Sequence, residues 1–205
     1  LTGPVSVFEG PRGLYATMAD REVDLDAITR ELGSTWQVAD VGIKPYPACQ
    51  LMHATLDAVA AITEPVDPSE VVEIVAGAHA DASPIVCEPA ERKVRPRTPY
   101  DAKFSLQWSV AALLADGCLS VDSYTAESVA RPEIAALAAL VRTEPVGGGG
   151  STADAPGNVL VRLRSGATLT GAVRRSNGGP LAPLSDEQVH AKFAANCAGS
   201  AAATE

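Results

Sequence analysis

Ten residues hold a lysine, a tyrosine, a cysteine and a histidine between two prolines and the start of a helical pattern: Lys44-Pro45-Tyr46-Pro47-Ala48-Cys49-Gln50-Leu51-Met52-His53. A fixed ammonium at Lys44 suits a carboxylate, and as a point charge it stabilises negative charge that develops when a proton leaves the neighbouring carbon. The alternative is a solvated lysine beside a proline turn. His53 titrates near neutral pH, so it could orient a substrate or shuttle a proton. It could equally be a hydrogen-bonded helix histidine. Cys49 lies one helical turn before His53, the spacing of a Cys/His nucleophile pair, against the simpler reading of a structural thiol. Tyr46 reads as a pocket wall or as a residue stacked on proline. Lys103, in "AKFSLQW", is either an anion contact or a salt-bridged or solvated lysine. The run Arg92-Lys93-Val94-Arg95-Pro96-Arg97 is too short for a phosphate backbone and better sized for a small anion; a solvated loop is the competing reading.

The elements that must hold these groups follow from periodicity and breakers. "WQVADVGIK" (36–44) has β-branched residues with partial alternation and predicts a strand ending at Pro45. From Pro47, Leu51, Met52, Thr55, Leu56, Val59 and Ile62 recur at helical spacing until "EPVDP" (64–68) breaks the pattern. Residues 69–80 predict a strand, 83–99 a loop, and 100–117 one apolar helix stopped by Gly117. In that helix Phe104, Trp108, Ala111 and Ala112 form one packing face. One or two helices over 124–140 precede a strand, "LVRTEPV". "NVLVRLRSG" and "ATLTGAVRRS" alternate around Ser165-Gly166 as a hairpin. A final helix runs from Ser185 to about Cys197 behind a capping box, Ser185 with Gln188, and its tail is expected to fray. Upstream, short helices are expected after Pro11 and over Asp24–Leu32, the second stopped by Gly33. The glycine tract 147–157 reads as a linker, since no Lys-Ser/Thr follows to make a phosphate loop. The sum is an α+β unit of about five strands, mostly antiparallel, with two packed central helices and helical segments at both ends.

The chain has 205 residues, 46% apolar and 20% charged. That is enough for a globular core. With 16 basic and 25 acidic side chains, net charge −9, nucleic acid is not an expected partner. No apolar run reaches the ~18 residues of a membrane helix. Cys49, Cys87, Cys118 and Cys197 are widely spaced with no CxxC pair. They read as reduced thiols of a cytoplasmic protein, and no metal is expected. His79 and His190 read as structural. The opening Leu1, with no initiator Met, reads like the middle of a longer protein.

Four collinear blocks, "LTGP…FEGPRGL", "KPYPACQLMH", "RPRTPYDAKFSLQWSVAALLADG" and "PLSDEQVHAKF", resemble the MmgE/PrpD family, which includes 2-methylcitrate dehydratase, cis-aconitate decarboxylase and an iminodisuccinate epimerase. The resemblance implies an all-helical domain and a smaller α+β lid. This chain would be the C-terminal half: 1–34 the end of the helical region, 35–180 the lid, and 181–205 a helix returning to the helical domain. It implies cofactor-free elimination or proton abstraction α to a carboxylate, on a small carboxylic acid. Lys44 would anchor the substrate, with Tyr46 and Lys103 as further substrate contacts and His53 as the catalytic candidate. The family's main acid and base groups lie in the helical domain, which a separate partner chain would supply, the pair then dimerising further. "GLYATM" and "VHAKFAANCA" have apolar faces that the lid sheet does not easily cover, which also points to a partner. A tyrosine that reaches the pocket in decarboxylase members is expected near Ser83–Cys87, where this chain has none; decarboxylation is the less favoured chemistry. A non-catalytic scaffolding subunit that keeps the fold is the alternative.

Overall fold

Two strands of alternating pattern meet at the centre of the sheet. Val71–His79 (β1) buries Val71, Ile74, Ala76 and Ala78, while Gly157–Leu163 (β3) buries Val159 and Val161. The period of two puts Ile74, Ala76, Ala78, Val159 and Val161 on one face, and a register shift between Val71 and Glu73 separates Val71 from that alternation. β1 and β3 pair antiparallel, with Ile74 opposite Val161. Val141–Val146 (β2) lies parallel to β1 on its other edge, and Thr168–Val173 (β4) completes a hairpin with β3. The turn is the expected one: Gly166 takes φ 88°, a conformation that glycine adopts without steric cost. The sheet has four strands in the order β2-β1-β3-β4. It is mixed, with two antiparallel ladders and one parallel. The computed structural model describes residues 3, 5–19, 22–146 and 155–198. Residues 147–154 of the glycine tract and 199–205 of the tail lie outside them, as does the opening Leu1.

Two compact units divide at Val41/Gly42. The first holds the helix Leu14–Met18 (α1), a single 3₁₀ turn at Leu25–Ile28 and another at Gln37–Asp40. Asp24 caps the Leu25 turn by accepting from the amides of Asp26 and Ala27, and Gly33 follows at φ 84°. The strand expected over 36–44 does not form. β-branched composition alone does not supply a partner ladder, and Val38 and Val41 are 75% and 69% exposed. The sheet therefore has one strand fewer than the sequence suggested.

The second unit carries the sheet and its helices. A 3₁₀ turn, Gln50–Met52, runs into His53–Ala60 (α2). The segment 83–99, expected as a loop, coils into Ser83–Val86 (α3) and Ala90–Val94 (α4), and Pro99–Ala102 (α5) begins at its end. Its prolines act as helix starters: Pro84 and Pro99 occupy first-turn positions, where a missing amide costs nothing. The predicted helix 100–117 is accordingly split. Ser105 caps Leu106–Asp116 (α6) through the Trp108 amide, and Gly117 ends it at φ 73°. Trp108, Ala111 and Ala112 are fully buried, as their spacing predicts, while Phe104 is half-buried. Ala126–Val129 (α7) and Pro132–Ala138 (α8) follow, and α8 covers α6 with Ile134 and Leu137. Asp186–Cys197 (α9) starts at the predicted Ser185/Gln188 capping box and buries no residue of its own. No helix among the described residues is long and apolar enough to cross a membrane.

Helix α2 lies directly on β3 and β4 because two glycines leave room for its backbone. A Cβ at Gly157 would stand 1.9 Å from the Ala54 carbonyl oxygen, and one at Gly171 would stand 1.8 Å from that of Ala58. Thr55 fixes the third direction by donating from Oγ1 to the Gly77 carbonyl of β1. Gly171→Ala should therefore lower stability by about 1–3 kcal/mol or more, because helix or strand backbone must shift. Gly179→Ala, which meets nothing within 4 Å, should stay within about 0.5 kcal/mol of the parent. Urea unfolding midpoints of the two variants check this.

Candidate functional site

The loop before α2 is tied to the helix by one carbonyl. Ala48 C=O accepts from Lys44 Nζ at 3.3 Å and from His53 Nε2 at 3.3 Å. On the other side of the loop, the Cys49 amide donates to the Lys103 carbonyl at 2.8 Å. Asp57, one turn into α2, is almost fully buried and uses both oxygens. Its Oδ1 accepts from Tyr46 Oη at 2.9 Å, and its Oδ2 accepts from the Asn177 amide at 2.7 Å. Further bonds join the two loops: Ile43 N–H to Gly178 C=O at 2.8 Å, and Gln50 Nε2 to Ser176 Oγ at 3.2 Å. Gly178 sits at φ 96°, and a Cβ on Gly42 would stand 2.7 Å from the Gly178 oxygen, so both glycines permit the close approach.

Burial sets the electrostatics. Tyr46 is held protonated far above the ordinary tyrosine range, first by desolvation and then by the Asp57 carboxylate it serves. His53 is fully buried and its pKa falls to about 4. Desolvation dominates, the nearby charges of Lys44 and Lys192 push the same way, and the bond to Ala48 opposes them. Because Ala48 offers an acceptor, Nε2 carries the proton of the neutral ring. Nδ1 has no hydrogen-bond partner, so the Cys49–His53 nucleophile pair is not formed. The Tyr46 ring meets His53 edge-on at 5.4 Å. All four cysteines are free, and no group of three or more His, Cys, Asp or Glu among the described residues could hold a metal.

Between the two loops opens a groove of about 450 Å³. Its polar lining is Lys44, Gln50, Arg175, Ser176 and Asn177, beside apolar residues that include Ile43 and Leu181. Of the residues singled out in the sequence, only Lys44 lines it. Tyr46 and His53 stand behind the wall as supports. Lys103 does not line the groove, and reaches the site through its backbone carbonyl. Sequence reasoning missed Asp57, Gln50 and the 175–178 loop. The available signals were an acid inside an otherwise apolar helical pattern and the turn-forming Ser176-Asn177-Gly178-Gly179.

The basic run 92–97 borders a second cleft of about 370 Å³ with Glu88, Tyr100 and Phe104. Its lysine is committed to structure. Lys93 Nζ donates to the carbonyls of Ile85 at 2.6 Å and Phe104 at 2.7 Å, and burial pulls its pKa down. The Lys93 carbonyl in turn accepts from Ser105 Oγ. These bonds pin α4 against the start of α6.

Comparison with known proteins places this architecture. The family model of the MmgE/PrpD C-terminal domain matches residues 46–205. The chain is also 27% identical to the cis-aconitate decarboxylase of Mus musculus over 165 residues, 77% of this chain. It spans about a third of that relative's length (33%). The chain belongs to the MmgE/PrpD family and corresponds to its C-terminal domain.

The buried imidazole gives a direct test. Its pKa in the folded state, about 4, lies below the ordinary 6.5, so the neutral form favours folding. The contribution is complete above pH 6.5 and is lost as pH falls towards 4. Over that window about 3 kcal/mol of stability should disappear. In His53→Phe the urea midpoint should depend much less on pH across the same range.

Proposed function

We propose that this member of the MmgE/PrpD family supplies the carboxylate-gripping face of a cofactor-independent lyase or isomerase. The reaction is dehydration, epimerisation or a related cyclisation α to a carboxylate. The observation that carries this reading is Lys44 on the wall of a groove whose other polar side chains, Gln50, Arg175, Ser176 and Asn177, can all donate hydrogen bonds. Such a wall suits an anion. A carboxylate held at Lys44 gathers negative charge as its α-proton departs, and a fixed ammonium favours that charged state over the ground state. Tyr46 and Asp57 keep the lysine loop in place, and His53 orients it as a buried neutral prop. Lys103 serves the same loop through its carbonyl.

The groove holds no group suited to removing the proton: its lining has no Asp, Glu, His or Tyr. The base therefore comes from elsewhere in the assembled protein. We assign it to the helical domain of the family, carried by a separate chain that forms a heterodimer with this one and then dimerises further. The half-exposed face of α9, with Phe193 standing free, suits packing against such a chain. The decarboxylase relative supports a carboxylic acid as substrate. The lack of a tyrosine in Ser83–Cys87 favours dehydration or isomerisation over decarboxylation.

The test is turnover by the enzyme isolated with its partner chain on a panel of di- and tricarboxylates, read by proton NMR with solvent-deuterium exchange at the α-carbon. Lys44→Gln should lower kcat/KM about 100-fold while stability stays within about 0.5 kcal/mol. Unchanged turnover would leave only a scaffolding role. If this chain proves monodisperse and active when expressed alone, the separate-partner assignment is wrong.

A further inference from the structure

We infer that the outer edge of β4 pairs antiparallel with β4 of a second copy of this chain, about a two-fold axis at Thr170, to make one continuous sheet. This names a surface for the further dimerisation proposed above and does not depend on the chemistry at Lys44. The order β2-β1-β3-β4 leaves two edge strands, and they are built differently. On the β2 side, the Ile74 amide donates to the Leu140 carbonyl. With Ile74 beside Val141 in a parallel ladder, the backbone groups of Val141, Thr143 and Pro145 then turn outward. A proline there removes a donor, and Arg142 and Glu144 flank it with charge. Both devices keep an edge from pairing.

The β4 edge has neither: Thr168–Val173 contains no proline and no charge. The Leu163 amide donates to the Ala167 carbonyl at 2.9 Å. Bonded pairs alternate along an antiparallel ladder, so Val161 with Leu169, Val159 with Gly171 and Gly157 with Val173 exchange the bonds of the hairpin. The amides and carbonyls of Thr168, Thr170 and Ala172 therefore point away from β3. All three residues are exposed. Among the described residues, no backbone hydrogen bond joins this edge to another element.

A two-fold axis at Thr170 uses all of these groups. Thr170 meets its own copy, and Thr168 meets Ala172 of the second copy, once on each side of the axis. Each such pair exchanges two hydrogen bonds, so every outward amide and carbonyl finds a partner. An axis at Thr168 would set strand residues against the 164–166 turn, and one at Ala172 would set them against Arg174 and Ser176, outside the strand. In the Thr170 register Arg174 stands opposite Gly166 of the second copy and Arg164 opposite its Ser176, so no like charges meet. Threonine against threonine is itself a favourable cross-strand pair. The contact is isologous and closes on two copies.

Disulfide trapping in the assembled enzyme tests this, with diamide as oxidant and the parent chain, whose four cysteines are free, as background. Opposite residues of a bonded pair stand about 5.5 Å apart at Cα, within the reach of a disulfide. Thr170→Cys should therefore move most of the chain to a band of doubled mass on a non-reducing gel. Thr168→Cys alone should stay at the parent's background, because its own copy lies about four residues, ~14 Å, further along the strand. Co-expressed with Ala172→Cys, it should crosslink. Thr170→Cys at background, Thr168→Cys alone crosslinking as readily, or a crosslink to a different chain each overturns the inference. None of these outcomes bears on the carboxylate reading, which is judged by Lys44→Gln turnover.

Discussion

The close seating of α2 on the sheet is the constraint from which the site follows. Gly157 and Gly171 remove two Cβ atoms that would otherwise collide with the carbonyls of Ala54 and Ala58. The helix backbone can then rest on β3 and β4 at a distance that no side chain would allow. At that depth Asp57 is buried with both oxygens within reach of the flanking loops. A helix displaced outwards would lose the Thr55–Gly77 bond and would move the acceptor that Tyr46 and Asn177 share. The groove is thus a consequence of helix–sheet spacing, although no residue of the sheet lines it.

Charge is handled differently at each position around the groove. Asp57 is buried, and a buried carboxylate is tolerable only when its oxygens are satisfied. One phenol and one backbone amide do this. His53 is buried as a neutral ring, which is the cheaper solution for an imidazole with a single acceptor at hand. Lys44 stays exposed, with its ammonium resting on the Ala48 carbonyl and available to an anion. One carbonyl therefore serves both the exposed cation and the buried prop.

The remaining basic residues show why a charge run is a poor guide to binding. Within 92–97, Lys93 spans two carbonyls and Arg97 is 4.0 Å from Asp101. The sequence shows a cationic patch, but folding spends part of it on holding short helices together. Arg175, which adjoins a turn, lines the groove together with Lys44.

The chain's own pattern was enough to settle the element types where periodicity was strong. These include β1, the β3–β4 hairpin with its glycine turn, α6 with its Gly117 stop, and α9 with its capping box. It also singled out Lys44, which lines the groove. It could not decide the partner-dependent features. The 36–44 segment has strand composition but no ladder to join. The prolines of 83–99 start helices where they were expected to prevent them, since their effect depends on whether the missing amide would have been needed. Gln50 meets Ser176, and Asp57 meets Asn177, across more than a hundred residues (|i−j| = 126 and 120). Separations of that size carry no local signal. Whether His53 was exposed and titrating near neutrality, or buried and neutral, was likewise a matter of desolvation, which only the packed tertiary structure determines.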